Sequence, residues 1–173
     1  MAAAPEPEIR FRRLTEVATS AVRELLNEPR NARHMPLAGR FDDAQTAEWV
    51  RAKDAQWEEN GYGPWAVFLD GEFAGWGGFQ REDAGPDFGL VLFPAFWGAG
   101  ADIARAAFAA GFDELGFDEI SVALPYSRTP GDVMARWGFD PVEDGEFDGV
   151  RFRRYRLARD AWARSALIAP RDG

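Results

Sequence analysis

The alternation of apolar and polar residues along the chain predicts strands and helices grouped around one central unit. Residues 88–93 read Phe-Gly-Leu-Val-Leu-Phe, an apolar run that is typical of a strand covered on both faces. Pro94 cannot donate a backbone hydrogen bond, so regular strand pairing is expected to stop there. A glycine-rich turn at 97–100 then leads into apolar residues at helical spacing, and Gly116 is expected to end that helix.

The first part of the chain is predicted to hold a strand and two helices. Residues 8–14 alternate apolar with charged side chains, and Thr15 can cap the helix that follows them. Asp42 or Asp43 is expected to cap a second helix. The loop at 28–42 between these helices is long for a compact domain, and loops of this length are often functional.

Strands are predicted on either side of the central unit. The pair Asp70-Gly71 is a typical hairpin turn between strands over 65–69 and 72–79. The second of these strands holds three glycines at 75–78, so it must bend or be approached closely by another segment.

The last third of the chain is predicted to return to the central strand. Because a helix connects them, a strand over 119–124 should lie parallel to the central strand. A short helix capped by Thr129, a closing hairpin over 140–157 and a helix over 160–168 are expected to follow. These elements predict a mixed α+β fold with a mostly antiparallel sheet.

Composition fits one globular unit and excludes some kinds of site. The 173 residues are 46% apolar, and we expect a single domain over 1–173 with a frayed end at 1–7 and a C-terminal helix and tail at 159–173. With no cysteine and one histidine, His34, a thiolate or multi-histidine metal site is excluded. No apolar run is long enough for a leader or a membrane span, so a cytoplasmic protein is expected.

The net charge of −9 bears on the partners of the chain. It opposes nucleic-acid binding, which needs a basic surface, and it favours cationic partners such as amines or basic peptides. The same charge is also explained by solubility alone, and the two interpretations stay open. Seven tryptophans and the terminal helix permit a homodimer.

The central unit carries the chemistry. Free amides at the first turn of a helix, together with the helix dipole, form an anion site, although Gly-x-Gly alone is a weak motif. The order Asp-Phe-Gly-Leu-Val-Leu-Phe-Pro from Asp87, then Phe-Trp-Gly-Ala-Gly and a helix, resembles the coenzyme A-binding core of the GNAT superfamily of N-acetyltransferases. Within it, the pattern is most similar to the branch that acetylates the N-termini of ribosomal proteins. The resemblance covers nearly the whole chain, residues 8–158.

This resemblance implies a GNAT-like fold in which the central parallel strand pair is splayed to hold acetyl-coenzyme A, with no metal. The pantetheine arm would bond like an added strand to backbone groups of 91–93, and the Leu92 N–H would polarise the thioester carbonyl. The implied cofactor-binding residues are Val91, Leu92, Phe93, Trp97, Gly98, Ala99, Gly100, Ala101, Asp102 and Ser127.

The implied catalytic residues are Asp87, Leu92 and Tyr126. Asp87 stands where several relatives have a base that acts through water, roughly 15 Å from Leu92 at strand rise; the alternative is that Asp87 simply ends a turn. The usual tyrosine acid is replaced by Met134, which leaves Tyr126 as the candidate.

The resemblance also implies an acceptor pocket, with His34, Met35 and Trp76 as its candidate residues. Asp102 departs from relatives, which have a small residue there. Its carboxylate either faces solvent at the helix start or repels the pyrophosphate.

Two functions are therefore compatible with the sequence. The first is transfer of an acetyl group from acetyl-coenzyme A to a primary amine, a peptide N-terminus or a small-molecule amine, by direct attack in a ternary complex. The second is a non-catalytic module of the same fold that binds a ligand or partner, which the residues at Asp102 and Met134 motivate.

Overall fold

The computed structural model describes residues 3–32, 40–128, 130 and 132–165, apart from the side chain of Ala32. His34, Met35 and Thr129 lie outside these residues, as does the predicted last part of the C-terminal helix after residue 165.

The described residues form one seven-stranded sheet. Its strands are β1 (Ile9–Arg12), β2 (Pro64–Leu69), β3 (Glu72–Glu82), β4 (Gly85–Leu92), β5 (Glu119–Pro125), β6 (Asp140–Phe147) and β7 (Val150–Ala158). Their order in space is β1-β2-β3-β4-β5-β7-β6. Only the β4–β5 pair is parallel among these neighbours, which confirms the predicted mixed α+β fold.

Helices cover both faces of this sheet. The α-helices are α1 (Thr19–Leu26), α2 (Pro29–Ala32), α3 (Asp43–Asn60), α4 (Gly100–Ala109), α5 (Val133–Arg136) and α6 (Arg159–Arg164). Asp42 caps α3 as predicted, because its carboxylate accepts a hydrogen bond from the Gln45 amide at 2.7 Å.

Side chains of the central strands alternate between two apolar layers. Phe88 of β4 packs its ring 4.8 Å from that of Phe108 of α4. On the opposite face, Val91 of β4 and Trp76 of β3 pack in a cluster with Val50 of α3. The strand that the sequence singled out as doubly covered is therefore covered on both faces.

The first helix begins later than predicted. Thr15 lies inside a short 3-10 helix (Leu14–Glu16) instead of capping α1, and Val17 returns to an extended conformation before α1 starts at Thr19. The break coincides with the complete burial of Leu14 between the sheet and α1.

The segment after β4 is helical where a turn was predicted. A 3-10 helix (Pro94–Ala99) begins with Pro94, whose fixed φ suits a first helical position, and it continues directly into α4. The helix widens into a π-turn (Ala110–Glu114) and ends at Gly116, which has a φ of 74° as expected for a C-terminal glycine.

At Gly75 of β3 another segment approaches closely, which is one of the two possibilities that the sequence left open. A Cβ built on Gly75 would lie 2.0 Å from the carbonyl oxygen of Val91, so the backbone of β4 approaches β3 too closely for any side chain.

We predict that Gly75→Ala destabilises the fold by about 3 kcal/mol, the upper end of overpacking costs, because two strand backbones must separate. Gly61→Ala is the matched control, since Gly61 has a φ of 76° with open space around it and costs only about 1–2 kcal/mol of left-handed strain. Urea unfolding of both variants measures the difference. Equal losses would show that the close approach at Gly75 can relax.

Candidate active site

A cleft opens where β4 and β5 separate. The parallel strands are paired at only two positions, Asp87 with Ser121 and Phe88 with Val122. Beyond these pairs a cleft of about 580 Å³ lies between the strands. It is lined by residues 88–92 of β4, residues 122–125 of β5, and Asn31, Trp76, Trp97, Gly100, Ala101, Ala104, Arg128, Trp137 and Phe152. The predicted splayed pair is therefore present.

Backbone direction along β4 decides which groups face this cleft. The Phe93 N–H donates to the Ala74 carbonyl of β3 at 2.9 Å. In an antiparallel pair every second residue directs its polar groups to the same neighbour, so Val91 also faces β3, while Leu90 and Leu92 face the cleft.

The prediction for backbone contacts at 91–93 needs a correction. The Phe93 amide already has a partner in Ala74, and the register turns Val91 toward β3. Leu92 and Leu90, two residues earlier, are the residues of this stretch whose backbone polar groups face the cleft. Counting back by two from Leu92 would have identified Leu90.

The Leu92 carbonyl accepts two side-chain hydrogen bonds. The Asn31 Nδ2 and the Trp97 Nε1 each donate to it at 3.1 Å. Asn31, on α2, is buried with 7% of its surface exposed, whereas Trp97 is 46% exposed. Sequence reasoning identified Trp97 but missed Asn31, which lies in the segment predicted to be a loop.

Gly98 and Gly100 have no structural need to be glycine. Gly100 has an ordinary helical φ of −56°, and neither residue has a positive φ. A Cβ built on either would meet no atom within 4 Å. Gly100 and Ala101 line the cleft at the start of α4, and their small size lets a ligand approach the helix closely. The predicted free amide at Gly100 is not present, because the preceding 3-10 helix is continuous with α4 and the Gly100 N–H donates to the Trp97 carbonyl.

Asp102 lies beside this end of α4 but outside the lining of the cleft. Its carboxylate is 3.9 Å from the Arg105 guanidinium one turn along the helix, and 26% of the side chain is exposed. The Asp102 carboxylate therefore lies near the positive charge of Arg105, and this charge offsets part of the repulsion between Asp102 and an anionic ligand.

Asp87 is the third residue of β4 and does not end a turn, because that turn precedes Gly85. It does not line the cleft but precedes the lining residue Phe88, where β4 and β5 are still paired, and the Ser121 hydroxyl donates to its carboxylate at 2.7 Å. The pKa of Asp87 is raised to about 6, chiefly by burial; the Ser121 hydrogen bond opposes this shift, Glu82 adds to it, and Arg154 opposes it. A carboxyl of this pKa can exchange a proton near neutral pH.

Trp76 lies on β3, the neighbour of β4 on the side away from β5, and its indole N–H has no hydrogen-bond partner. The residue is 8% exposed and lines the cleft, yet its buried Nε1 has no hydrogen-bond partner. Its ring packs against Trp49 at 5.5 Å, and the Lys53 ammonium lies 5.6 Å from its centroid. Burial lowers the pKa of Lys53, although the nearby Glu82 partly opposes this shift.

Tyr126 does not face the cleft. Its hydroxyl donates to Asp144, the Arg153 guanidinium lies 4.3 Å over its ring, and the side chain is 47% exposed. The hydrogen bond to Asp144 is the main cause of the raised pKa of Tyr126. This arrangement gives no support to a role as general acid, and Met134 is buried in the core.

Arg128 is a lining residue that sequence reasoning missed. It follows Ser127, an exposed residue in the turn after β5, and the Arg153 side chain donates to its carbonyl at 2.8 Å. Arginine suits phosphate, so a basic residue soon after the second splayed strand is the pattern that could have identified it.

Other kinds of site receive no support from the part of the chain that the structure describes. Within it, no three His, Asp or Glu side chains are grouped so as to hold a metal ion. No described helix is long and apolar enough to cross a membrane. The candidate acceptor residues His34 and Met35 remain predictions, since they lie outside the described residues.

Comparison with known proteins agrees with this geometry. The family described as acetyltransferase (GNAT) domain matches residues 8–127, more than half of the chain. The chain therefore belongs to the GNAT acetyltransferase family, which confirms the resemblance drawn from its sequence.

Solved structures share the fold at low sequence identity. An acetyltransferase from Agrobacterium tumefaciens superposes with a TM-score of 0.70 at 20% identity, covering 92% of this chain and 98% of its own. The aminoglycoside acetyltransferase AAC(6')-Ib with coenzyme A gives 0.70 at 16%, covering 92% and 98%. The ribosomal L7/L12 alpha-N-protein acetyltransferase RimL with coenzyme A gives 0.68 at 15%, covering 88% and 95%.

Proposed function

We propose that the chain transfers an acetyl group from acetyl-coenzyme A to a primary amine, either a peptide N-terminus or a small-molecule amine. The observation that carries this proposal is the cleft between β4 and β5, into which Leu90 and Leu92 direct backbone polar groups. Two structural neighbours, the aminoglycoside and the ribosomal-protein acetyltransferases, are solved with coenzyme A, which supports the cofactor.

The cofactor is proposed to lie along the cleft in an order fixed by chemistry. Its pantetheine arm, a chain of amides, pairs with β4 at Leu90 and Leu92. Its pyrophosphate is proposed to lie against the helical segment 98–102, where the two glycines allow close approach. Arg128, on the other wall, supplies a positive charge to the anionic end.

The chemical step is proposed to be direct attack within a ternary complex. The neutral amine nitrogen bonds to the thioester carbon, the C–S bond breaks, and the thiolate leaves and takes up a proton. The Leu92 N–H is the proposed donor to the developing oxyanion, because it faces the cleft at the end of β4. The chain contains no cysteine, so a thiol of the protein takes no part.

Asp87 is the proposed base, acting through water. At strand rise it lies roughly 15 Å from Leu92, so it reaches the amine only through a relay. Its support is a burial-raised pKa next to the lining residue Phe88. Above pH 6 this burial holds the carboxylate partly desolvated, which costs free energy.

Trp76 is the proposed contact to the acceptor. Because an indole N–H can only donate, the group that satisfies it must carry an acceptor oxygen. Leaving such a buried donor unpaired costs about 1–3 kcal/mol, so a ligand oxygen at this position gains affinity. The acceptor is then an amine with a carbonyl, carboxylate or hydroxyl oxygen near it.

A non-catalytic module of the same fold is the second candidate. The observation that favours it is the position of Tyr126, whose hydroxyl is held by Asp144. Among the described residues that line the cleft, none is a tyrosine. Such a module would bind coenzyme A or another ligand in the cleft without transfer.

Calorimetric titration of the full chain with acetyl-coenzyme A tests the cofactor site. We expect Gly100→Leu to weaken binding by about tenfold or more, because its side chain would occupy the cleft. The control is Ala95→Leu, an exposed position in the same helical segment that does not line the cleft. No binding to the unsubstituted chain at millimolar cofactor would overturn the proposal, and binding without thiol release for any amine would favour the second candidate.

The pH dependence of acetyl transfer tests Asp87. The rate constant kcat/KM should fall as pH drops through about 6, where the carboxyl takes up its proton, and Asp87→Asn should abolish this limb together with most of the activity. Ser121→Ala should move the limb to higher pH, since the hydrogen bond that lowers the pKa is lost. An unchanged limb in Asp87→Asn would contradict the assignment.

Stability should respond to the same group with the opposite sign from a paired carboxylate. Between about pH 4, where an unfolded aspartate ionises, and pH 6, the folded chain keeps a proton that the unfolded chain has lost, so stability falls as pH rises. Asp87→Asn should therefore raise Tm at pH 8, and the gain should shrink toward pH 4.

Steady-state kinetics test Trp76. Trp76→Phe removes the N–H and keeps an aromatic ring, so the acceptor KM should rise about fivefold while the Kd for coenzyme A stays unchanged. Trp49→Phe, in the same aromatic cluster but outside the cleft lining, is the control. A loss of coenzyme A affinity without a change in acceptor KM would assign Trp76 to the cofactor instead.

A further inference from the structure

The geometry points to Asn31 and Trp97 as positioning residues: we propose that they clamp the Leu92 carbonyl, keep β4 apart from β5, and fix the backbone that serves the thioester. This inference rests on the proposed function for its catalytic consequence. The clamp itself is a feature of the chain without ligand.

Continued pairing of β4 with β5 would require a backbone donor on β5. Extending the register from Phe88 and Val122 brings Leu90 opposite Leu124. In a parallel pair, the carbonyl of Leu90 would then need the backbone N–H of residue 125. That residue is Pro125, which has none, so the next hydrogen bond of the ladder cannot form.

Leu92 lies two residues further along β4, and its carbonyl has side-chain partners instead of a strand partner. This carbonyl also points away from β3, and leaving it without a hydrogen bond would make the folded state less stable. Asn31 and Trp97 supply donors at 3.1 Å each, one from α2 and one from the helical segment after β4. On the other side of the same peptide, the Phe93 N–H donates to Ala74. The peptide plane is therefore held from both sides.

The carbonyls of Leu90 and Leu92 therefore differ in whether they are available to a ligand. The Leu92 carbonyl is occupied by side chains, whereas the Leu90 carbonyl loses its strand donor through Pro125. The cofactor's amide N–H groups should accordingly pair with Leu90. The Leu92 N–H belongs to the preceding peptide, which is joined to the clamped one at the Leu92 Cα, so the clamp limits its rotation and should keep it aligned for the thioester oxygen. The clamp thus acts on catalysis through the orientation of Leu92.

Double-variant analysis of Asn31→Leu and Trp97→Phe tests the clamp. Because either donor alone can satisfy the shared carbonyl, each single variant should lower kcat about threefold and the double variant by more than the product of the two losses. Acceptor KM should stay within about twofold, since the clamp does not touch the acceptor. Two independent packing roles would instead give losses that multiply.

Trp57→Phe is the matched control. The Trp57 Nε1 also donates to a backbone carbonyl, that of Pro64 at 2.9 Å, at a distance from the cleft lining. This variant should lose thermal stability but keep kcat, whereas the clamp variants lose kcat.

Carbon-13 NMR of the ligand-free chain separates the clamp from the proposed reaction. The backbone carbonyl resonance of Leu92 should move upfield slightly in each single variant and strongly in the double variant, as hydrogen bonding is lost. This pattern in a chain that fails to transfer acetyl groups would uphold the clamp and overturn the proposed function. An unchanged Leu92 resonance in the double variant, or losses in kcat that simply multiply, would overturn the clamp.

Discussion

Separation of two parallel strands in the middle of a sheet requires new partners for the backbone groups that are released. Inside a protein, unpaired N–H and C=O groups are costly. In this chain, β4 and β5 stay paired through Phe88 and Val122 and then part. Pro125 removes the next donor, and side chains of Asn31 and Trp97 satisfy the Leu92 carbonyl. The cleft, its polar lining and its relation to α4 all depend on that solution.

The chain as a whole is negatively charged, whereas the lining of the cleft includes a positive charge. The chain as a whole carries −9, but Arg128 lines the cleft and Arg153 bonds to its carbonyl. An anionic ligand in this cleft would therefore meet a positive charge on a protein that is acidic as a whole. Asp102 is close to the same end, but its position near Arg105 offsets part of its charge. Global charge consequently says little about which ligand this cleft accepts.

Local rules were sufficient for the order of the seven strands, the hairpin at Asp70-Gly71, the cap at Asp42 and the parallel pair. The family was predicted instead from the resemblance of the motif around Leu92 and Gly98, which is continuous in sequence. Local rules could not identify Asn31, because it meets Leu92 across 61 residues from a segment predicted as a loop. Nor could they give the pKa of Asp87 or the freedom of the Trp76 Nε1, which arise from burial by distant elements.

A crystal structure of the chain with coenzyme A tests the central claim most directly. The account predicts that the pantetheine arm lies between β4 and β5 with its amide on the Leu90 carbonyl. It also predicts that the pyrophosphate lies against Gly98 and Gly100 at the start of α4, and that Asn31 and Trp97 still hold Leu92. A structure in which β5 pairs with β4 as far as Leu92, or in which coenzyme A lies elsewhere, would contradict it.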